Sequence, residues 1–315
     1  MAEPVAVATE EPREARPVLA YAMVMTAATL WAVNGTVAKV VLTSGLSSLR
    51  LAEVRSTGAA LALGAVIAAT RPRSLAVRAR ELPFLALFGI CGLALVQWFY
   101  FLAIHRLKIG IALLIQYLAP VIVALWARFV MHRPVRRRIW LALALALAGL
   151  GLVVEVWQGL TLNAVGVVAS LGTAAAYAFY ILLAESAVEE RDPVSLVWWG
   201  LLFASVLWAI VQPWWSFPGH LFVVDVSLHG HLAAWHLPAW TLMLWIVVFG
   251  TIVPFALLVG ALRHIAATRA GIVAMLEPVA ATVVAWAWLA ESLRPAQLVG
   301  GVVVLTAIFL GQTAR

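Results

Sequence analysis

The sequence predicts an all-α integral membrane protein, with ten transmembrane helices arranged as two inverted five-helix repeats. Three observations predict it. Hydrophobic residues make up 64% of the 315 positions and charged residues only 11%. The apolar residues fall into runs long enough to cross a bilayer, separated by short arginine-bearing loops. An offset of 158 residues lays part of the first half on part of the second.

Soluble domains average about 45–50% apolar and about 25% charged residues. Too few charges are present here to cover a soluble surface. Disorder, collagen and a coiled coil are excluded on the same grounds. The net charge is +7, and the basic residues lie in loops between apolar runs. That placement orients a chain in a bilayer and gives no reason to expect a nucleic-acid partner. The lone cysteine, Cys91, excludes a disulfide framework, a cysteine-based zinc site and an iron–sulfur cluster. No cofactor and no metal are expected.

A helix crossing ~30 Å of hydrocarbon needs about 20 mostly apolar residues. Residues 1–16 form a polar tail without the order of a signal peptide. Pro17–Ala38 is the first span. Leu49–Thr70 is the second, with Arg50, Glu53 and Arg55 in its first third. Such charges sit at one end or face the protein interior. Leu82–Ile104 and Ile109–Ala127 follow, both free of acidic and basic side chains. Ile139–Val154 is short and is expected to extend through Trp157. Gln158-Gly159 and Asn163 mark a turn before the sixth span. Pro193 opens the seventh, which leaves through Pro213 and Pro218. Trp240–Leu262, Thr268–Leu289 (interrupted at Glu277-Pro278) and Pro295–Ala314 complete the set.

With the N-terminus in the cytoplasm, fourteen Lys/Arg fall in inside segments and four (Arg50, Arg106, Lys108 and Arg294) outside. The imbalance places both termini in the cytoplasm of a multi-pass protein of the inner or plasma membrane.

At the 158-residue offset, Ala103–Leu150 and Ala261–Ile308 share eight identities, including Pro120/Pro278 and Arg136/Arg294. A proline inside a helix is costly, so a repeated one is informative. The halves are 17–155 and 163–312. Each has five helices, an odd number, so the second enters the membrane from the opposite side. Inverted repeats are a signature of secondary transporters, with a site near the midplane between the halves.

Several residues carry a family resemblance. Leu30-Trp31-Ala32-Val33-Asn34-Gly35 with Arg55, Gln116-Tyr117-Leu118-Ala119-Pro120-Val121, and Leu276-Glu277-Pro278-Val279 resemble the drug/metabolite transporter superfamily, EamA type. Glu291, thirteen residues past Pro278, then Gln297 and Gly300-Gly301, extend the likeness over nearly the whole chain. The resemblance implies an exporter of amino acids, metabolites or drugs. One departure is His132-Arg133, where the family usually has Gly-Glu. Glu291 is therefore not expected to be half of a matched functional pair.

The expected site is a solute pocket lined by Trp31, Asn34, Gln97, Tyr100, Gln116, Tyr117, Tyr177, Tyr180 and Glu277. The uncharged polar groups can line a cavity or hydrogen-bond helices together. Glu277 admits two readings. An intramembrane carboxylate can take a proton or hold a substrate ammonium. It can instead accept from backbone donors freed near Pro278. Lys39 reads as an interfacial side chain reaching for the headgroups. Arg55 is balanced between interface and interior. With few fixed charges, the pocket suits a neutral, zwitterionic or amphipathic solute taken by alternating access. The competing class is a membrane-embedded, acyltransferase-like enzyme acting on lipid, suggested by His220 and Asp225. The loop that holds them is too short for such a domain, so no enzyme is expected.

Overall fold

A computed structural model describes residues 16–104, 106–107, 109–157 and 163–313. The polar tail before Arg16, Lys108, the Gln158-Gly159 turn and Arg315 lie outside the described residues. Nine helices among the described residues are long and apolar enough to cross a bilayer. A tenth, shorter helix completes an all-α membrane fold.

Helix α1 (Pro17–Leu42) starts on a proline, which suits a first-turn position because that N–H has no helical acceptor. It continues four residues past the expected end, so Lys39 lies inside it. Gly45, at φ 92°, reverses the chain. Ser47 then accepts from the Arg50 N–H and starts α2 (Ser48–Thr70). The third span is α3 (Leu82–Leu87), a π-helical segment (Phe88–Ala94) and α4 (Leu95–Ile104). The fourth is broken into α5 (Ile109–Gln116) and α6 (Ala119–Phe129). Pro120 is in the first turn of α6, where it has no N–H to offer the preceding helix.

Helix α7 spans Arg137–Val153. The expected extension through Trp157 does not form, because Glu155 turns left-handed at φ 48°. Helices α8 (Ala164–Ala187) and α9 (Pro193–Val211) are each capped by a side chain, Asn163 and Asp192. A short antiparallel hairpin follows, β1 (Asp225–Ser227) against β2 (His236–Pro238). The eighth span is α10 (Ala239–Val247), a second π segment (Val248–Ile252) and α11 (Val253–Ala261). The ninth is broken at Met275 into α12 (Ala267–Ala274) and α13 (Leu276–Leu289). Helix α14 (Pro295–Gln312) ends the fold.

The irregular elements come in pairs. The third and eighth spans each hold a π segment, and the fourth and ninth are each broken. The helices alternate in direction, so α1 and α8 start at opposite ends of the bundle. One end carries the arginine-rich loops and the other the hairpin. Glycines set the closest approaches. A Cβ on Gly149 would meet the Gly300 carbonyl at 2.8 Å, so α7 and α14 touch backbone to backbone. Trp288 Nε1 donates to the Leu228 carbonyl at 2.8 Å and pins the hairpin to α13.

Candidate functional site

A cavity of about 440 Å³ lies inside the bundle. Its wall draws on α1, α2, α4, α5, α8, α10, α11, α13 and the first π segment. It runs from Tyr177 and Glu277 in the middle of the bundle to Lys39, Leu289 and Glu291 at the hairpin end.

Eight of the nine expected residues line it: Trp31, Asn34, Gln97, Tyr100, Gln116, Tyr177, Tyr180 and Glu277. Tyr117 does not. It is buried behind Glu277, and its hydroxyl donates to Glu277 Oε2 at 2.7 Å. The break after α5 explains the difference, because it turns Tyr117 toward the Ala274–Leu276 break of the other half. Among the described residues, the Tyr117 phenol is the side-chain donor to the Glu277 carboxylate.

Arg55 is a cavity residue that the sequence left undecided. Its Nε donates to Thr251 Oγ1 and its Nη2 to the Gly250 carbonyl, both at 3.2 Å. Pro254, four residues on, has no N–H to give the Gly250 carbonyl, which is left free to accept from Arg55 beside the second π segment. Thr251 in turn donates to the Ile246 carbonyl at 2.9 Å. Gly250 is needed because a methyl group there would overlap the Asn34 side chain. Arg55 and Glu277 lie close enough to interact electrostatically. Arg128 is exposed, away from the cavity, with its guanidinium 6.0 Å from the Phe129 ring.

The rest of the wall is aromatic, amide and aliphatic. Trp31 and Tyr180 both pack edge-on against Phe255, at 5.3 and 5.8 Å between centroids. Tyr177 stacks on Tyr180. Asn34 Oδ1, Gln116 Oε1, the Tyr180 hydroxyl and both polar atoms of Gln97 are buried without a protein hydrogen-bond partner. Leaving such a group unsatisfied costs about 1–3 kcal/mol. Their concentration on one cavity marks it as a place for a polar ligand.

Phe255 and Lys39 were not among the expected pocket residues. A signal for Phe255 was available, since it lies 158 residues after Gln97, the same offset that joins the two prolines. The histidines of the 217–238 loop lie outside the cavity wall. His229 Nε2 is 3.3 Å from Thr43 Oγ1, and His236 Nδ1 faces the Ala234 carbonyl.

A polytopic helical bundle enclosing a polar-lined central cavity that reaches toward one end has the architecture of a membrane transporter. The chain belongs to the EamA-like transporter family, whose model matches residues 18–155 and again 164–311. It is 28% identical over 246 residues to the threonine/homoserine exporter RhtA of Escherichia coli K12, covering 77% of this chain and 76% of that protein. It is 24% identical over 294 residues to the inner membrane transporter YicL of Salmonella typhimurium, covering 91% and 93%. An Archaeoglobus fulgidus transporter is 26% identical over 67% of this chain and 70% of its own. A solved crystal structure shares the fold, with a TM-score of 0.75 at 16% identity over 94% of this chain and 96% of that one.

Proposed function

We propose that the protein is a secondary transporter that exports a small zwitterionic solute, an amino acid or a close relative, by alternating access. Its two halves, 17–155 and 163–312, are inverted repeats. One observation carries the substrate class: Arg55 and Glu277, of opposite charge, face one cavity whose amides lack partners. A carboxylate placed toward Arg55 and an ammonium toward Glu277 complement both charges. The Gln97, Gln116 and Asn34 amides then serve the polar remainder. Six aromatic rings in the wall (Trp31, Tyr100, Phe101, Tyr177, Tyr180 and Phe255) leave room for an apolar side chain. The Escherichia coli relative, a threonine/homoserine exporter, fits this chemistry.

A lipid-modifying enzyme would need acid and base groups clustered at one face. His220 and Asp225 are both exposed, and neither lines the cavity.

Purified protein in proteoliposomes tests the proposal. Counterflow of radiolabelled amino acids should exceed that of their decarboxylated amines and of sugar phosphates. Equal uptake of an amine and its parent amino acid would remove Arg55 from the reading, and preferred uptake of a sugar phosphate would overturn it.

A further inference from the structure

Two ion pairs stand at opposite ends of the bundle. At the hairpin end Lys39 Nζ is 3.3 Å from Glu291 Oε1. At the arginine-rich end Arg133 Nη1 is 3.7 Å from Glu185 Oε2. Their positions correspond. Lys39 lies 21 residues into the first family match and Glu185 lies 21 residues into the second. Arg133 and Glu291 each lie thirteen residues past a repeated proline, Pro120 and Pro278.

The local backbone agrees. His132 and Ala290, the residues just before Arg133 and Glu291, are left-handed, with φ of 53° and 59°. Arg133 N–H then donates to the Ala127 carbonyl, and Glu291 N–H to the Ala285 carbonyl. Each bond reaches six residues back, the closure of a helix end around a left-handed residue. The same helix termination therefore presents Arg133 at one end and Glu291 at the other. The partners come from the last turns of the repeat-opening helices, α1 and α8. Both pairs have the same architecture with the signs exchanged, so Glu291, not expected to belong to a matched pair, has its counterpart in Arg133.

We infer that Lys39–Glu291 and Arg133–Glu185 are matched latches, each holding one end of the cavity shut until it opens to that side. This rests on the alternating-access reading. The two latches differ in strength. Lys39 and Glu291 are more than half exposed and border the cavity. The Glu185 side chain is only 16% exposed, and its Oε1 also accepts the Ala267 N–H at 2.9 Å, at the start of α12. A carboxylate at a helix N-terminus is stabilised there by the helix dipole. The arginine-end latch is thus the firmer one, and the cavity wall includes none of its residues.

Reporter accessibility tests this without knowing the substrate. Gly35 lines the cavity with open space where a Cβ would stand, so Gly35→Cys on a Cys91→Ala background is the probe. Its reaction with an impermeant thiol reagent is measured in intact cells and in inverted vesicles of the full-length protein. Lys39→Glu should raise labelling from the hairpin side roughly two- to fivefold, the range expected for an exposed pair. Glu185→Arg should raise labelling from the arginine-rich side by at least as much. The double exchange Lys39→Glu with Glu291→Lys should restore the parent rate, whereas Glu185→Arg with Arg133→Glu should restore it only in part, since arginine cannot accept the Ala267 N–H. If Glu185→Arg fails to fold, Arg133→Gln, which leaves the Glu185–Ala267 hydrogen bond in place, tests the same latch. Labelling from both sides that ignores all these changes overturns the latches and leaves alternating access standing. Labelling from one side alone in every variant overturns both.

Discussion

The Tyr117 hydroxyl donates to Glu277 Oε2 across 2.7 Å and so ties the broken fourth span to the broken ninth. Each residue belongs to a different family match, and each stands within two residues of a helix break. The bond also fixes which side of the carboxylate remains toward the cavity.

Glu277→Gln should separate the two roles of this residue. Glutamine retains an acceptor for Tyr117, so thermal unfolding in detergent should change little. Transport should fall at least tenfold, because the charge that holds a substrate ammonium or a proton is gone. Tyr117→Phe should do the reverse in part. It removes a hydrogen bond to a charged group, worth about 1.5–3 kcal/mol, and lowers stability while leaving the charge. Full activity of Glu277→Gln would assign the carboxylate to structure alone.

Arg55→Lys should also impair transport, despite keeping the charge. A guanidinium reaches Thr251 and the Gly250 carbonyl through a planar fork, and an ammonium cannot reproduce that geometry. Competition binding should show a larger loss for amino acids than for their decarboxylated amines. A uniform loss for both would mean that Arg55 only braces the π segment.

The spans were legible because a bilayer demands about 20 apolar residues per helix, and that demand is written in composition. The breaks at Tyr117 and Met275 were half legible, through Pro120 and Pro278. The π segments were not, since widening a helix by one residue leaves no periodic mark. Only Gly250 and Pro254 hint at the second one. That gap hid the role of Arg55, whose acceptors exist because the helix is irregular there. Tyr117 was read as a wall residue because it is an uncharged polar side chain inside a span, but a helix break resets the face of every residue beyond it. The hairpin was invisible, because three-residue strands carry no alternation to detect.

The charge bias predicts a membrane orientation that is directly testable. Arg73 and His231 are exposed at opposite ends of the bundle. On a Cys91→Ala background, His231→Cys should react with an impermeant thiol reagent in intact cells, and Arg73→Cys only in inverted vesicles. The reverse pattern would place the arginine-rich loops outside, against the charge bias.

The left-handed helix ends supply the last prediction. Ala290 adopts φ 59° and ψ 26°, and His132 has φ 53°. A Cβ in this conformation crowds the following carbonyl and costs about 1–2 kcal/mol per residue. Glycine avoids that crowding but loses about 0.5–1 kcal/mol more through chain entropy on folding. The balance favours glycine by up to about 1.5 kcal/mol at a position already left-handed. Ala290→Gly and His132→Gly should therefore each raise the unfolding temperature in detergent slightly. The helix closures through Ala285 and Ala127 would be retained. His132 has an offsetting contact, since its Nδ1 lies 3.0 Å from the Val130 carbonyl, so its gain should be the smaller. A lower unfolding temperature for Ala290→Gly would show that this helix end relaxes out of the left-handed region in the membrane protein, and would remove the common termination that aligns Glu291 with Arg133.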